Sequence, residues 1–325
     1  PYWKLKLLIV INFFSTIYLK MVEKKTKKLK NPINIFKPSL KKKRKMYCSP
    51  TNQKNKYTCF SRESLVKIAK NLNKKIKNKN KKIKFNKKSA IPRLWNSINK
   101  KMKSYCYGEW CWIQQEFVKN LHDKEINHTF RPRTPREWYS NKIEWLSTID
   151  IENVMKQYEK LYKNFKFIGP VPIDFDFEYS VGSCIVDELC SIDINDLEKR
   201  KIKKIGIIFN LDKHNQSGSH WVAMYIDLNI NEIYYFDSYG QQPPEEVNVL
   251  AQRIQVQGDI NDKDIKFKIN EIRHQFKNSE CGVYCMYFIT QLLKGKTFKS
   301  FKKNIIKDDE MMSNRGYFYS PNCSK

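Results

Sequence analysis

Arg273-His274-Gln275-Phe276-Lys277-Asn278-Ser279-Glu280-Cys281-Gly282-Val283-Tyr284-Cys285 is the stretch whose reading decides the fold. It begins polar and passes into a dense apolar run, Val283 to Leu293. A run with no polar face predicts a helix buried on every side. Lys294-Gly295 closes it with a cation in the last turn and a glycine stop. Cys281 then falls at or just before the N-terminus of that helix. Free backbone N–H groups and the positive end of the helix dipole favour a thiolate there. A cysteine alone could be only a small buried hydrophobe. Two segments upstream argue for more.

Residues 218–238 carry two runs rich in Val, Ile, Tyr and Phe around the polar patch Asp227 to Asn231. They predict a β-hairpin, though without an Asn-Gly turn. His220 and Asp237 lie symmetrically about a point inside that turn. The pattern therefore makes them cross-strand neighbours, with Cβ atoms about 5 Å apart. A carboxylate beside an imidazole fixes its tautomer and supports its charged form. Such a pair by itself could be an ordinary surface ion pair; joined to Cys281 and Gln275 it is harder to read as accident.

The order His220-Trp221, Asp237, Gln275, Glu280-Cys281-Gly282 resembles the cysteine peptidases that include SUMO-specific proteases, the adenovirus protease and the core-protein proteases of large DNA viruses. In that group a Gln stands six residues before the Cys and an acid directly before it. The segment Ile272 to Gly282 looks most like the African swine fever virus and giant-virus branch. The resemblance spans roughly residues 140 to 312, and its order differs from papain-like enzymes, where the Cys comes first. It implies Cys281 as nucleophile, His220 as general base and acid, Asp237 as orienting acid, and Gln275 with the Cys281 N–H as oxyanion donors. By the same resemblance Trp145 and Trp221 would form a slot around a Gly-Gly substrate tail, although Trp145 could equally be a core aromatic. The segment is weaker at Ser147-Thr148, where the family often has Asn-Asp. His274 is an alternative base but lacks an acid partner, and Glu280 reads as structural. The implied chemistry needs no metal and no organic cofactor.

Charge is very unevenly placed in the 325 residues, whose formal net charge is +29. Lys20 to Lys103 holds 30 basic and 2 acidic residues; Ser104 to Lys325 holds 30 and 31. A codon bias toward Lys and Asn could contribute, but so cationic a stretch attracts polyanions whatever its origin, which makes nucleic acid an expected partner of the Lys-rich residues 20–103. The nine cysteines follow no disulfide framework and read as reduced thiols. Cys48, Cys59, Cys106 and Cys111 lack the paired spacing of a zinc site.

Residues 1–20 are apolar but interrupted, and a run of about 13 is short of the ~20 that a membrane-spanning helix needs. No membrane span is expected. The chain starts at Pro1, which suggests a reading frame extended upstream of a start at Met21 or Met46; a signal peptide is the alternative. Residues 1–58 read as a disordered basic arm. Residues 59–130 read as a small helical region, with Ser61 as N-cap and Leu65, Ile68, Ala69 and Leu72 at helical spacing. Residues 131–325 read as the protease domain: a capped helix from Ser147 to about Phe165, a strand at Ile205 to Phe209, the hairpin, a surface helix at Glu246 to Arg253, a strand at Ile265 to Ile269, and a terminal helix near Asp308 to Met312. The expected fold class is α+β, a mixed central β-sheet flanked by helices. The expected function is cleavage of viral core polyproteins after Gly-Gly-like motifs, in the virion and the host cytoplasm. Removal of a ubiquitin-like protein from conjugates is the alternative substrate reading. A nucleic-acid-binding structural protein with an inactive protease fold is the alternative of another class.

Overall fold

The computed structural model describes residues 48–52, 57–86 and 88–320. The apolar residues 1–20 and the basic run 41–45 lie outside them.

Helix α1 (Arg62–Lys75) starts where Ser61 accepts a hydrogen bond from the Ser64 N–H, and α2 (Ile91–Met102) is next in the chain. Leu65, Ile68, Ala69 and Leu72 face inward, as their spacing predicts, and pack with Leu94, Ile98, Trp112 and Phe130 in a core of their own. Arg131 donates to the Cys48 carbonyl at 3.2 Å. Helix α3 (Thr148–Leu161) begins with a reciprocal capping box between Ser147 and Asp150. It stops four residues before Phe165, because that residue opens a strand rather than closing the helix.

Five strands form the main sheet: β1 (Phe165–Pro172), β4 (Lys204–Asn210), β5 (Trp221–Asp227), β6 (Glu232–Phe236) and β7 (Lys266–Ile269), in that spatial order. A separate two-stranded hairpin, β2 (Glu178–Ser180) and β3 (Ser183–Cys184), comes after β1 in the chain. β1 runs parallel to β4, β5 antiparallel to both neighbours, and β6 parallel to β7, so the sheet is mixed. Side chains of β5 alternate between two cores: Trp221, Ala223 and Tyr225 on one face, Val222, Met224 and Ile226 on the other. Burial on both faces is why the strand reads as a continuous apolar run.

Helix α5 (Cys281–Leu293) lies across the first face, with α3 and α6 (Asp308–Phe318) in the same core. Eleven of its thirteen residues are buried, which accounts for its all-round hydrophobicity. Side chains such as Phe288 and Ile289 each contribute about 1.5–3 kcal/mol by leaving water. Gly206 permits this close approach: a Cβ there would lie 3.1 Å from Ile289 and 3.0 Å from the Phe165 ring. Helix α4 (Glu245–Ile260), longer than the expected Glu246 to Arg253, covers the opposite face.

Six cysteines differ from the expected reduced state. Cys48–Cys59, Cys106–Cys111 and Cys184–Cys190 are paired as disulfides, each within a short loop that brings sequence neighbours together. Among the described residues Cys281 and Cys285 are the free thiols.

Candidate active site

Strand direction brings four of the expected residues to one end of the sheet. β4 ends at Asn210 opposite the start of β5, so His220 stands there. β6 ends at Phe236, directly before Asp237, and the parallel β7 feeds the loop carrying Gln275. Cys281 is the first residue of α5.

The hairpin register corrects one expectation. Ala223 pairs with Phe236 and Asp227 with Glu232, so continuing the ladder sets His220 opposite Tyr239, not Asp237. The turn is centred one residue later than expected, with Asn231 in the left-handed region at φ 53°. His220 still reaches Asp237 diagonally: ring Nε2 lies 2.8 Å from Oδ1. The same oxygen accepts the Tyr239 N–H at 2.8 Å. The Tyr239 ring stacks on His220, with centroids 4.7 Å apart. The Arg273 guanidinium lies 5.3 Å from the centre of the Tyr239 ring. Asn270 is fully buried and donates to the carbonyls of Asp237 at 3.1 Å and Ile272 at 2.8 Å. It thereby joins the Asp237 turn to the Gln275 loop. Gly240 allows their close approach: at φ 75° any Cβ would sit 3.0 Å from the backbone of Glu271 and Arg273.

The Cys281 sulfur is the other side-chain group that acts on the His220 ring. Burial disfavours the imidazolium, but the hydrogen bonds and negative charge of Asp237 and Cys281 outweigh it and raise the pKa to about 9. Cys285 lies one helical turn further and differs in kind. Burial pushes its thiol far up, and it donates to the Trp221 carbonyl at 3.2 Å.

Gln275 is fully buried. Its Oε1 accepts from the Ser238 hydroxyl at 2.6 Å, and its Nε2 donates to the Lys277 carbonyl at 2.5 Å. One Nε2 proton is left over from these bonds. Asp308 anchors the loop by accepting the N–H groups of Phe276 at 3.0 Å and Lys277 at 3.1 Å. Glu280 is clamped by Arg315: Nε to Oε2 at 2.8 Å and Nη2 to Oε1 at 2.6 Å. Arg315 also donates to the carbonyls of Lys142 at 3.0 Å and Glu144 at 2.9 Å, tying the turn before Cys281 to the loop before Trp145.

The two tryptophans differ. Trp221 is buried and donates to the Leu146 carbonyl at 3.2 Å, whereas Trp145 is 39 % exposed. No ring contact joins them among the described residues. A Cβ on Gly282 would meet Trp221 at 3.3 Å, Leu146 at 3.3 Å and Ile151 at 3.2 Å, so these side chains close directly over the residue after Cys281.

His274 is set aside as a base. It is fully buried against Phe236 and Phe301, and neither ring nitrogen has a partner. Burial, with the charge of Lys296, drives its pKa down to about 4.

Four residues of this arrangement were missed in the sequence: Tyr239, Asn270, Asp308 and Arg315. Tyr239 was within reach, since a hairpin turn centred one residue later sets it against His220. The others act across long stretches of chain and carry no local signal.

Comparison with known proteins adds the ancestry. The Ulp1 protease family, C-terminal catalytic domain, matches residues 155–322. The chain is similar to a putative thiol protease of Acanthamoeba polyphaga mimivirus, 35 % identical over 86 % of this chain and 94 % of that one. It is also similar to a protein of African swine fever virus described as a SUMO-1 cysteine protease, 25 % identical over 72 % of this chain and 92 % of that one. A crystal structure of the African swine fever virus protease superposes with a TM-score of 0.57 at 21 % identity, over 85 % of this chain and 96 % of that chain, and shows the same fold.

Proposed function

The chain belongs to the Ulp1 protease family, and from that premise we propose that this thiol protease hydrolyses peptide bonds after small-residue, Gly-Gly-like motifs in viral core polyproteins. The observation that carries the reading is the His220 ring, 2.8 Å from the Asp237 carboxylate and under the influence of the Cys281 sulfur at the tip of α5.

In the proposed reaction the Cys281 thiolate attacks the scissile carbonyl carbon and His220 holds the proton. Gln275 Nε2 and the Cys281 N–H donate to the developing oxyanion, a contact whose loss usually costs about 10²–10³ in rate. His220 gives its proton to the departing amine as the C–N bond breaks, leaving a thioester. Water then attacks the thioester, His220 takes the water's proton, and the acid leaves as the sulfur is released. Asp237 holds the ring in the orientation that these transfers need. Gly282 lets Trp221 and Leu146 pack directly against the backbone that follows Cys281. Trp145, exposed beside them, is proposed to cover a substrate backbone too narrow for a Cβ.

Removal of a ubiquitin-like protein from conjugates is the second substrate reading, supported by the description of the African swine fever virus relative as a SUMO-1 cysteine protease. The Lys-rich residues 20–103 are proposed to hold nucleic acid; among the described lysines there, only Lys67 has a carboxylate partner, Asp123. Work in the virion and the host cytoplasm is part of the same proposal. Wild type and Cys281→Ala are to be incubated with core polyprotein and, separately, with SUMO and ubiquitin precursors. Cleavage of the first by wild type alone supports the reading; cleavage of only the second replaces the substrate; no cleavage, with no labelling by a thiol-reactive Gly-Gly probe, refutes it. Deleting residues 21–90 is expected to remove DNA binding, and unchanged binding with unchanged salt dependence would refute the nucleic-acid proposal.

A further inference from the structure

The hairpin β2–β3 leaves the sheet at the carboxyl end of β1, which is also the end where His220, Asp237 and Cys281 meet. It is firmly mounted. The Ile173 N–H donates to the Asp212 carbonyl at 3.2 Å, and the Ile185 and Val186 N–H groups donate back to Phe177 at 3.1 Å and Phe175 at 2.9 Å. Asp174 accepts the His214 N–H at 2.8 Å and lies 2.7 Å from its ring Nδ1. The loop so tethered, residues 211–219, leads directly into His220.

This fixed hairpin leaves three large apolar side chains uncovered at alternate positions. Phe177 is 53 % exposed, Tyr179 63 % and Val181 102 %. Uncovered apolar side chains clustered on an ordered element mark an interaction surface. Its charge is opposite to that of the chain as a whole. Between Lys166 and Lys199 there are eight acidic residues and no Lys or Arg, in a chain of net charge +29. Asp174 is taken by His214 and Glu188 by Lys166, but Glu178 and Asp187 have no cationic partner among the described residues.

We propose that this hairpin is a substrate exosite, seating a Lys/Arg-rich stretch with apolar side chains that flanks the bond presented to Cys281. The proposal rests on the peptidase reading. Apolar residues of the stretch cover Tyr179 and Val181, and its cations meet Glu178 and Asp187. Its proximity to the cleft lets binding there raise the local concentration of the scissile bond.

Two labelled peptides with the same Gly-Gly centre test it: one short, the other extended on both sides by Lys, Leu and Ile. Anisotropy on the full chain carrying Cys281→Ala reads binding independently of cleavage. The extended peptide is expected to bind about tenfold or more tightly than the short one, and Tyr179→Ser with Val181→Ser, or Glu178→Lys alone, to remove that gain. In the background with Cys281 intact, these hairpin variants should raise KM for the extended peptide and leave kcat/KM for the short one unchanged. Equal binding of the two peptides, or a gain that survives both hairpin variants, overturns the exosite. Variants that speed cleavage of the short peptide would instead show the chain's own Lys-rich segment as the occupant, which also overturns it. Binding as expected without cleavage by the enzyme with Cys281 intact would sink the peptidase reading and leave the surface standing.

Discussion

Replacing Arg315 by Met should be among the most damaging single changes outside the reacting groups. Arg315 and Glu280 are 6 % and 1 % exposed, and among the described residues the carboxylate has no cation besides this fork–fork partner. Met keeps much of the apolar stem but strands Glu280 as a buried, unpaired charge. It also frees the carbonyls of Lys142, Glu144 and Ser279. Breaking a buried ion pair from one side costs about 3–5 kcal/mol. For a chain of this size each kcal/mol lowers Tm by about 2–4 °C, so a fall of roughly 10 °C is expected. Arg315→Lys should fall between, since an ammonium keeps the charge and loses the fork. The decisive measurement is a double-mutant cycle by thermal unfolding. Glu280→Gln with Arg315→Met removes both charges and should be more stable than the sum of the two single losses allows. Peptidase activity below the melting range should drop with Arg315→Met, because the turn carrying Cys281 and the loop carrying Trp145 lose their common anchor. A single variant melting within about 2 °C of wild type, or strict additivity in the cycle, would refute the reasoning.

The same geometry sets other outcomes. His220 titrates near 9, above the ordinary value for histidine, so its stabilising charge is fully present below pH 6.5 and lost as pH rises through about 9. The alkaline limb of kcat/KM should lie there, and Asp237→Asn should move it to lower pH while reducing the rate; an unmoved limb would disprove the assignment. His274 has the opposite sign. It is held neutral at a pKa near 4, so the unfolded chain binds its proton first and stability falls as pH drops from 6.5 toward 4. His274→Phe should flatten that loss, roughly 3 kcal/mol at about 1.4 kcal/mol per pKa unit, in denaturant titrations at several pH values. Activity at neutral pH should remain; its loss would restore His274 as a candidate base. Gly240→Ala forces a Cβ into the Glu271–Arg273 backbone at positive φ, so unfolding free energy should fall by about 1–3 kcal/mol. The rate should fall with it as Asp237 is displaced, and a variant indistinguishable from wild type would show the two loops to be loosely coupled.

How much of this was legible beforehand depended on the range of the interaction. The α1 and α3 caps, the β5–β6 hairpin and the buried α5 are local patterns; the caps and α5 stand where their residues implied, and the hairpin forms with its turn one residue later. The Cys281, His220, Asp237 and Gln275 order could be read because a family resemblance supplied the spatial step that periodicity lacks. Phe165 was misread as the end of α3 because it continues that helix's apolar spacing, and the strand it opens was not read at all. Its status as a strand comes from parallel pairing with β4, made some forty residues later in the chain. The disulfides were missed because no paired spacing announces them. The Arg315 clamp was missed for the plainest reason: one arginine among many acquires meaning only when a helix folds back onto a glutamate 35 positions away.

The two free thiols on α5 show what the site adds to a residue type. Cys281 and Cys285 are both buried and lie four residues apart on one face of one helix. Cys285 has its backbone N–H committed to the helix ladder, its sulfur donating to the Trp221 carbonyl, and only desolvation and negative charge around it, all of which favour the neutral thiol. Cys281 stands in the first turn, where N–H groups have no partner within the helix, and its sulfur meets an imidazole that Asp237 keeps protonated. On the proposed mechanism, one helical turn separates an inert cysteine from a reactive one. A stoichiometric alkylating agent at neutral pH should label Cys281 and spare Cys285. Substituting His220 by Ala should slow that labelling steeply without redirecting it, because the second sulfur has neither a cation nor an access path. Labelling that ignores the loss of His220 would mean that the helix terminus rather than the imidazole activates the sulfur, and labelling that shifts to Cys285 would overturn its reading as inert.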